Sequence, residues 1–290
     1  MRSILFYLGP VPIRAYGLML WLALVVGIIR SARAAKKTNI KPEHVVDVGL
    51  YSLLAGVLCA HLASIVLDLP YYWGNPSEII SLWKGILSPS GGLRGLSFHG
   101  GLIGGIGAAW LYTRRKGISF LAMADLCSPG LAIGYGIARI GCFLNGCCYG
   151  IPTKLPWAVR FHLDSVSGEM TPPSHPVQIY AMLASFLIAG ILIMIERRQR
   201  FKGHVFLSYL AMYSVYRFLI EFLRKGVTAD VAFAGITEAQ VASLVMLAIT
   251  VPILAIKLKK QPAPIKIRNP KSSSAKATED KSAIRNSKGG

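Results

Sequence analysis

Seven long apolar segments, separated by short polar stretches, run along most of the chain. Most approach the length of about 20 residues that a helix needs to cross the hydrocarbon core of a bilayer. We expect helices, because a lone strand leaves its backbone hydrogen-bonding groups without partners in lipid. The pattern predicts an all-α membrane protein, a bundle of about seven transmembrane helices. The segments cover residues 12–29, 45–66, 98–112, 120–140, 176–195, 205–223 and 239–256.

Basic residues follow every second apolar segment. Loops rich in Lys and Arg stay in the cytoplasm, so the alternation predicts an amino terminus outside and a carboxyl terminus inside. An even number of spans would break the alternation, and the charges therefore support seven. The basic clusters are Arg30, Arg33, Lys36 and Lys37; Arg114, Arg115 and Lys116; Arg197, Arg198, Arg200 and Lys202; and Lys257, Lys259 and Lys260.

Two long outer loops and a tail complete the predicted organisation. The membrane domain spans residues 1–260, and its loop 142–174 is expected to form a small cap. Loop 68–97 carries aromatic side chains that suit the interface between lipid and water. Residues 261–290 are polar and basic and cannot bury enough apolar area to fold, which predicts a disordered cytoplasmic tail. The aromatic residues are Tyr71, Tyr72, Trp73 and Trp83.

The composition agrees with a membrane protein. Hydrophobic residues make up 53% of the chain and charged residues 16%, which is too apolar for an ordinary soluble domain. The net charge of +19 lies between apolar segments and in the tail, without interleaved aromatic residues. We therefore expect no nucleic-acid partner. Residues 1–10 lack the pattern of a cleavable signal peptide, so the first apolar segment should remain.

The sixth apolar segment carries a stripe of ionisable residues. Tyr213, Arg217 and Glu221 are four residues apart and share one helix face, and Arg224 follows three residues later. An ionised side chain near the bilayer centre costs at least about 2.5–3.5 kcal/mol. The stripe should therefore face the bundle interior, where Arg217 and Glu221 neutralise each other. A structural ion pair near the outer surface is the alternative to a functional site.

A glycine-rich stretch opens the third segment. Gly100 with Gly104, and Gly101 with Gly105, have the small-xxx-small spacing that lets helices approach closely. Close packing explains the glycines but not His99. An imidazole at this position can act as a base, a hydrogen-bond donor or a ligand near neutral pH. A satisfied structural histidine is the alternative.

The outer end of the fourth segment combines an arginine with three cysteines. Arg139 can donate two hydrogen bonds at once to a phosphate. Cys142, Cys147 and Cys148 would face an oxidising compartment, where a disulfide from Cys142 to either of the others is one alternative. Metal binding together with His99 or His175 is a weaker alternative, because the spacing matches no standard zinc pattern, and we expect no metal site. Elsewhere, Cys59 and Cys127 are expected to be small buried apolar residues, and these are the remaining cysteines.

Five motifs, taken in order along residues 10–256, resemble those of the prolipoprotein diacylglyceryl transferases. A single motif is modest evidence, but five in order on a matching topology are strong evidence. They are Tyr16-Gly17, Phe98-His99-Gly100-Gly101, Arg139-Ile-Gly-x-Phe-Leu-Asn145-Gly146, His175-Pro-x-Gln178-x-Tyr180 and Arg217-Phe-x-x-Glu221-Phe-x-Arg224.

The resemblance implies an enzyme of the bacterial inner membrane, with the site and the outer loops toward the periplasm. It would move a diacylglyceryl group from phosphatidylglycerol to the lipobox cysteine of a preprolipoprotein and release glycerol phosphate. Both substrates come from the bilayer, so we expect no cofactor, and we expect a monomer. The catalytic residues implied are Tyr16, His99, Arg217 and Glu221. The substrate-binding residues implied are Arg139, Asn145, His175, Gln178, Tyr180, Tyr213 and Arg224.

The resemblance also implies roles. Arg139 and Arg217 would hold the lipid head group and the departing phosphate, and Glu221 would orient Arg217. His99 is the candidate base or proton relay, with a carboxylate or the lipid phosphate as alternatives. Tyr16 and Tyr213 would position lipid oxygens. Short motif matches of this kind remain hypotheses until a structure places the residues.

The sequence departs from the family pattern at four positions. Cys142 stands where the family usually has Asn, and Cys147 where it has Glu. Ala138 replaces a Gly and Ala181 replaces a common Glu. Loss of the carboxylate at Cys147 removes a base, a positioning group or an arginine partner. We expect a divergent branch with the same activity.

Four alternatives follow from these departures and from the buried charges. An altered acceptor or an altered lipid donor would keep the chemistry. A non-catalytic family member would bind lipid or signal peptides without turnover. A transporter or channel would suit the buried Arg and Glu, although the sequence contains no inverted repeat of the kind seen in many transporters.

Overall fold

The computed structural model describes residues 4–9, 11–79, 96–162, 169–224, 231–233 and 236–261. These residues form eight α-helices and four short strands. Seven helices match the seven predicted segments, and the eighth, α3, is a short helix in the loop after the second span, followed by a 3-10 turn at Pro76–Glu78. The helices are α1 Ala15–Ala35, α2 Pro42–Leu67, α3 Leu69–Gly74, α4 Phe98–Arg115, α5 Phe120–Asn145, α6 Val177–Arg197, α7 His204–Glu221 and α8 Glu238–Lys260.

Two small hairpins accompany the helices. Strand β1 (Ile4–Leu8) pairs with β2 (Val11–Arg14), so the prediction that a helix begins at Pro12 is wrong. The backbone of Val11–Arg14 pairs with β1, with Pro12 opposite Tyr7, so α1 begins at Ala15. Strands β3 (Val231–Phe233) and β4 (Ile236–Thr237) precede α8.

The helix edges also differ from the prediction, most at the end of α1, which runs to Ala35 rather than to position 29. Helix α5 continues five residues beyond position 140 to Asn145, where Gly146 ends it with a left-handed φ of 76°. Helix α6 begins at Val177, with Pro176 as its N-cap rather than its first residue. Of the aromatic loop residues, Tyr72 is buried and Trp73 is exposed. The predicted positions of Trp83, and of the tail beyond residue 261, lie outside the described residues.

Contacts between helices define two ends of the bundle. Helices α2 and α4 are antiparallel, because the Ser97 N–H preceding α4 donates to Ala60 near the end of α2. Helices α1 and α5 are also antiparallel, since Arg30 donates to the Leu126 carbonyl. Helices α5 and α7 are parallel, and α6 and α8 oppose them. The beginnings of α1, α4, α6 and α8 therefore share one end, the site end, with the ends of α2, α5 and α7. The predicted basic clusters lie at the other end, the basic end.

A buried carboxylate at the basic end fixes α7 against α5. Asp125 accepts hydrogen bonds from the backbone N–H of Gly203 at 2.5 Å and of Phe206 at 2.8 Å. The side chain of Gln199 donates to the same carboxylate at 2.6 Å. These bonds satisfy free N–H groups at the start of α7 and set its position along α5.

The outer surface of the bundle is apolar and its interior holds many polar side chains. Leu54, Ile103 and Leu187 are each more than 65% exposed, although all three lie within helices. Five helices, α1, α2, α5, α6 and α8, are long and apolar enough to cross a membrane. Helices α4 and α7 are less apolar because they contain glycines, or serines and tyrosines, together with charged residues. The chain is a multi-pass membrane protein, and its exposed apolar helix faces contact lipid.

Glycines of α4 bring it into close contact with α2. A Cβ added at Gly104 would lie 2.5 Å from the Cβ of Cys59 and 2.6 Å from the carbonyl oxygen of Ala55. The carbonyl belongs to the backbone of α2, so it cannot move aside as the end of a flexible side chain could. Small residues thus permit the backbone approach on which helix packing in lipid depends.

We predict that Gly104→Ala destabilises the protein by about 1–3 kcal/mol, because overpacking forces the two helices apart. Gly107→Ala is the matched control on the same helix, since nothing lies within 4 Å of a Cβ added there. It should leave stability unchanged or raise it by up to about 1 kcal/mol through helix propensity. Thermal unfolding in detergent measures both, and equal midpoints for the two variants would contradict the packing argument.

Candidate active site

Arg139 is oriented by a tyrosine on its own helix. Tyr135 precedes it by four residues on α5, and the two side chains therefore share a face. An Arg139 Nη donates to the Tyr135 hydroxyl at 2.6 Å, and its guanidinium lies 4.6 Å from the centroid of that ring. The same hydroxyl lies 3.4 Å from the hydroxyl of Tyr216 on α7. Tyr135 thus holds Arg139 close to α7, the helix that carries the ionisable stripe.

The end of α7 holds two arginines and one carboxylate. Arg217 forms an ion pair and hydrogen bond with Glu221, whose side chain is fully buried. Arg224 approaches the same carboxylate oxygen, with its Nε at 4.0 Å. The arginine side chains are 12% and 14% exposed. Two cations facing one anion leave an excess positive charge in a poorly hydrated place, which favours binding of a further anion.

Tyr213 links the two arginine groups. Its ring meets the Tyr135 ring edge to face, with centroids 5.6 Å apart. Tyr135 accepts a hydrogen bond from Arg139, and Tyr213 lies four residues before Arg217 on α7. The two arginines predicted to hold a phosphate therefore approach this pair of tyrosines from different helices.

The loop after α5 is bonded to the neighbouring helix ends. The Gly150 N–H donates to the His175 carbonyl at 2.9 Å, and the Ile151 N–H donates to the Leu223 carbonyl at 2.9 Å. A Cβ added at Gly150 would lie 2.4 Å from the Leu223 oxygen, so only glycine fits this approach. The loop therefore fixes the backbone immediately before Arg224.

The start of α6 contributes groups that already have protein partners. Gln178 is buried and donates to the Cys147 carbonyl at 2.7 Å. The Trp157 indole N–H donates to the Tyr180 hydroxyl at 2.7 Å, and His175 Nδ1 lies 3.4 Å from that hydroxyl. Through these contacts the start of α6 can hold the cap in position. Residues 163–168 of the same cap lie outside the described residues.

Tyr16 and the cysteines form the side of the cluster nearest α1. Tyr16 lies in the first turn of α1 and is 39% exposed. A Cβ added at Gly141, directly before Cys142, would lie 3.3 Å from the ring of Tyr16. The sulfur atoms of Cys142, Cys147 and Cys148 lie within 4.8 Å of one another. Asn145, the last residue of α5, is exposed.

The thiol of Cys148 has a strongly altered environment. Hydrogen bonds from Cys142 and Cys147 lower the pKa of Cys148, and the positive charges of Arg139 and Arg224 lower it further. Burial opposes these effects. The backbone of Cys148 has a φ of 64°, in the region that non-glycine residues rarely adopt. Strain of this kind is concentrated at functional sites.

His99 stands apart from the cluster. It lies in the first turn of α4 at the site end, is exposed, and meets the Phe98 ring at a centroid distance of 5.7 Å. Among the contacts of the described residues, none joins His99 to Arg139, Arg217 or Glu221. The other predicted site residues form one connected cluster.

Sequence reasoning missed two members of this cluster, Tyr135 and Tyr216. A signal for Tyr135 is its four-residue spacing from Arg139. A signal for Tyr216 is its position directly before Arg217, beside the stripe at Tyr213.

An apolar groove of about 630 Å³ runs between α6, α7 and α8. Tyr180, Tyr216 and Leu223 line it near the site end, and Ile191 lines it deeper in the bundle. Ile191 follows Tyr180 by eleven positions, which corresponds to roughly 16 Å along α6. The groove therefore leads from the arginine cluster toward the middle of the apolar layer.

Comparisons with known proteins agree on one family. A family model described as prolipoprotein diacylglyceryl transferase matches residues 3–256. A phosphatidylglycerol–prolipoprotein diacylglyceryl transferase of Clostridium tetani is 32% identical over 82% of this chain and 91% of its own length. Proteins of the same name are 32% identical in Clostridioides difficile, over 84% and 91%, and 36% identical in Geobacter sulfurreducens, over 77% and 82%.

Proposed function

The chain belongs to the prolipoprotein diacylglyceryl transferase family, and from this membership we propose that it transfers a diacylglyceryl group from phosphatidylglycerol to the lipobox cysteine of a preprolipoprotein. The match covers nearly all of the described helices. The observation that carries the proposal within the structure is that Tyr135 joins Arg139 to the tyrosines that precede Arg217 on α7, beside a buried carboxylate.

The reaction makes three demands on the protein. The acceptor thiol must lose its proton, because the thiolate is the nucleophile. The glycerol carbon must lie in line between the sulfur and the departing oxygen. The developing charge on the phosphate must be stabilised by donors already in place. Sulfur then bonds to the glycerol carbon, the carbon–oxygen bond breaks, and its electron pair leaves with glycerol phosphate.

Arginines at the site end suit the phosphate. Arg217 and Arg139 each present a planar fork that can donate two hydrogen bonds to phosphate oxygens. Arg224 Nε is buried and has no hydrogen-bond acceptor among the described residues, which leaves a donor for the ligand. Glu221 orients Arg217 through their ion pair. Tyr16 and Tyr213 position oxygens of the lipid on either side of Arg139.

Proton transfer is assigned to His99. It lies at the site end and is exposed, so it can exchange a proton with water. Its separation from the arginine cluster suits a relay between the acceptor thiol and solvent better than direct contact with the phosphate. Asn145, His175, Gln178 and Tyr180 hold the cap, and through it the peptide acceptor.

The apolar groove suits an acyl chain of the lipid donor. Its lining is apolar over its length, and its site end adjoins Tyr216 and Leu223, each next in sequence to an arginine of the cluster. A lipid seated there would place its tails between α6, α7 and α8 and its phosphate at Arg217. We assign the site end to the periplasmic face of a bacterial inner membrane, because basic ends stay in the cytoplasm. All assigned residues come from one chain, as in a monomer.

Filling the groove should slow transfer. Ala184 lines the groove on α6, and Ala184→Trp is expected to reduce the transfer rate by about tenfold, because the added ring costs the lipid about 1–3 kcal/mol of packing. Leu183→Trp, at a position 58% exposed on the same helix, is the control and should transfer normally. Rates are measured in reconstituted membranes. Equal rates in both variants would place the acyl chain elsewhere.

The proposed function is tested in cells depleted of their own transferase. Expression of this chain should restore lipoprotein maturation, followed by the mobility and mass of a reporter lipoprotein. Failure to restore maturation with reporters of several signal-peptide types, despite insertion in the membrane, would contradict the proposal and favour a non-catalytic lipid-binding protein.

A further inference from the structure

Three cysteines at the site end form a cluster that the proposed reaction does not yet use. The sulfur atoms of Cys142, Cys147 and Cys148 lie within 4.8 Å of one another. All three thiols are free, Cys142 is buried and the other two are half-buried. Helix α5 supplies Cys142 and the turn after Gly146 supplies the others, so the fold brings together ligands that the linear spacing did not suggest.

We propose that these three thiols bind one Zn²⁺ ion. In a tetrahedral zinc site with Zn–S bonds of about 2.3 Å, neighbouring sulfurs lie roughly 3.8 Å apart. The observed cluster needs only small side-chain movements to reach that geometry. A disulfide would join two sulfurs and leave the third without a role, whereas one ion uses all three. The backbone of Cys148 has a left-handed φ of 64°, and its sulfur lies within 4.8 Å of that of Cys142.

The surrounding charges suit a zinc–thiolate complex. Three thiolates and one Zn²⁺ ion carry a net charge of −1. Arg139 lies three residues before Cys142 on α5, and the backbone of Arg224 pairs with that of Gly150, two residues after Cys148. The two arginines can therefore balance that charge. Gln178 donates to the Cys147 carbonyl and stabilises the turn that carries two of the ligands. Such supporting contacts commonly hold metal ligands in place.

The coordination would be incomplete. Within the part of the chain that the structure describes, no fourth His, Cys, Asp or Glu joins the three cysteines. Three protein ligands with one open position are the arrangement of catalytic rather than structural zinc sites. Arg139 lies three residues before Cys142 on α5, so the two side chains share a helix face. We place the open position on that face, beside the proposed lipid phosphate.

On the basis of the proposed function, the open position takes the acceptor cysteine. The lipobox thiol binds zinc as a thiolate and releases its proton to solvent, because metal coordination stabilises the deprotonated form. Its sulfur electron pair then forms the bond to the glycerol carbon, and the broken carbon–oxygen pair leaves on the phosphate. Zinc keeps its charge and oxidation state throughout.

Metal content tests the site without any substrate. The full-length protein, purified under reducing conditions without chelator and desalted after exposure to ZnCl2, should contain about one zinc per chain. Cys142→Ser and Cys148→Ser should reduce it to under about a tenth of that. Cys59→Ser and Cys127→Ser are controls and should retain zinc. A wild-type protein without zinc, or the loss of zinc equally in the controls, would overturn the proposal.

Cobalt substitution removes the dependence on variants that fold poorly. Wild-type protein loaded with Co²⁺ should show thiolate-to-cobalt charge-transfer bands, and a lipobox peptide should alter the cobalt d–d spectrum. A peptide with Ser in place of the acceptor Cys should leave it unchanged. Absent charge-transfer bands would overturn the zinc site, and identical spectra with both peptides would overturn the role in acceptor binding. Both readings are independent of turnover, so they separate this proposal from the proposed transferase function.

Discussion

Arg217→Ala is expected to reduce diacylglyceryl transfer by about 10³-fold, the largest loss of activity of any single substitution in the arginine cluster. Removal of one preorganised donor to a developing oxyanion typically costs 10²–10³, and an arginine at a phosphate can contribute more. Arg217 is 12% exposed and its charge is shared with one carboxylate, so water cannot take over its role. Initial rates with saturating lipid and peptide measure the effect.

Two further variants give this prediction its controls. Arg217→Lys keeps the charge but loses the planar fork, and should recover only part of the rate. Arg33→Ala removes an exposed arginine at the basic end and should leave the rate unchanged. If Arg217→Ala instead matched the wild-type rate while its lipid affinity fell, Arg217 would bind the ground state only. Full activity and full affinity would remove it from the site.

Glu221→Gln is expected to destabilise the protein by about 3–5 kcal/mol, because it leaves two buried arginine charges without their shared partner. The Glu221 side chain is fully buried and contacts both Arg217 and Arg224. Bound lipid should oppose the effect. Phosphatidylglycerol carries a phosphate anion that can replace the lost carboxylate charge, so it should raise the thermal midpoint of the variant more than that of the wild type.

The ion pair at the opposite end provides the comparison. Glu196 pairs with Arg30 at 2.5 Å, but the two side chains are 21% and 15% exposed. Glu196→Gln should therefore cost less, about 1 kcal/mol or below, as for partly solvated pairs. Thermal unfolding in detergent, with and without added phosphatidylglycerol, gives both values. Equal losses in the two variants, or no extra protection by phosphatidylglycerol, would separate Glu221 from the lipid site.

The lengths of the apolar segments predicted the helices well, because the thickness of the bilayer sets the length of a spanning helix. All seven predicted spans correspond to helices, including α4 and α7, whose glycines, tyrosines and charges lower their hydropathy. The errors lie at the ends of the helices, where contact with lipid no longer determines the secondary structure. Pro12 belongs to a hairpin strand, and α5 runs on past Ile140 until Gly146 provides a left-handed cap. Pairing of a terminal hairpin depends on backbone partners that hydropathy does not register.

Site residues on one helix were easier to predict than those joined by tertiary contacts. The four-residue spacing from Arg217 to Glu221 indicated their ion pair directly. Tyr135 was missed, although it has the same spacing from Arg139. The gathering of Cys147 and Cys148 with Cys142 depends on the left-handed turn at Gly146 and Cys148, which no residue spacing encodes.

The position of His99 shows what a sequence motif alone does not predict. Its position in the resemblance implies a role in catalysis, and the structure places it at the site end but outside the arginine cluster. Its assignment as proton relay stays a prediction, as do the roles of the other site residues. The family and the membrane fold, in contrast, are confirmed.

Mass spectrometry of the reaction product tests the central claim most directly. Purified protein in nanodiscs containing phosphatidylglycerol is incubated with a lipobox peptide, and the peptide and soluble products are analysed. The account predicts a diacylglyceryl thioether on the cysteine, with one glycerol phosphate released per modified peptide, and no product when phosphatidylethanolamine is the only lipid. An unmodified peptide beside intact phosphatidylglycerol would contradict the transferase activity. Equal product from both lipids would contradict a site whose excess positive charge selects an anionic lipid.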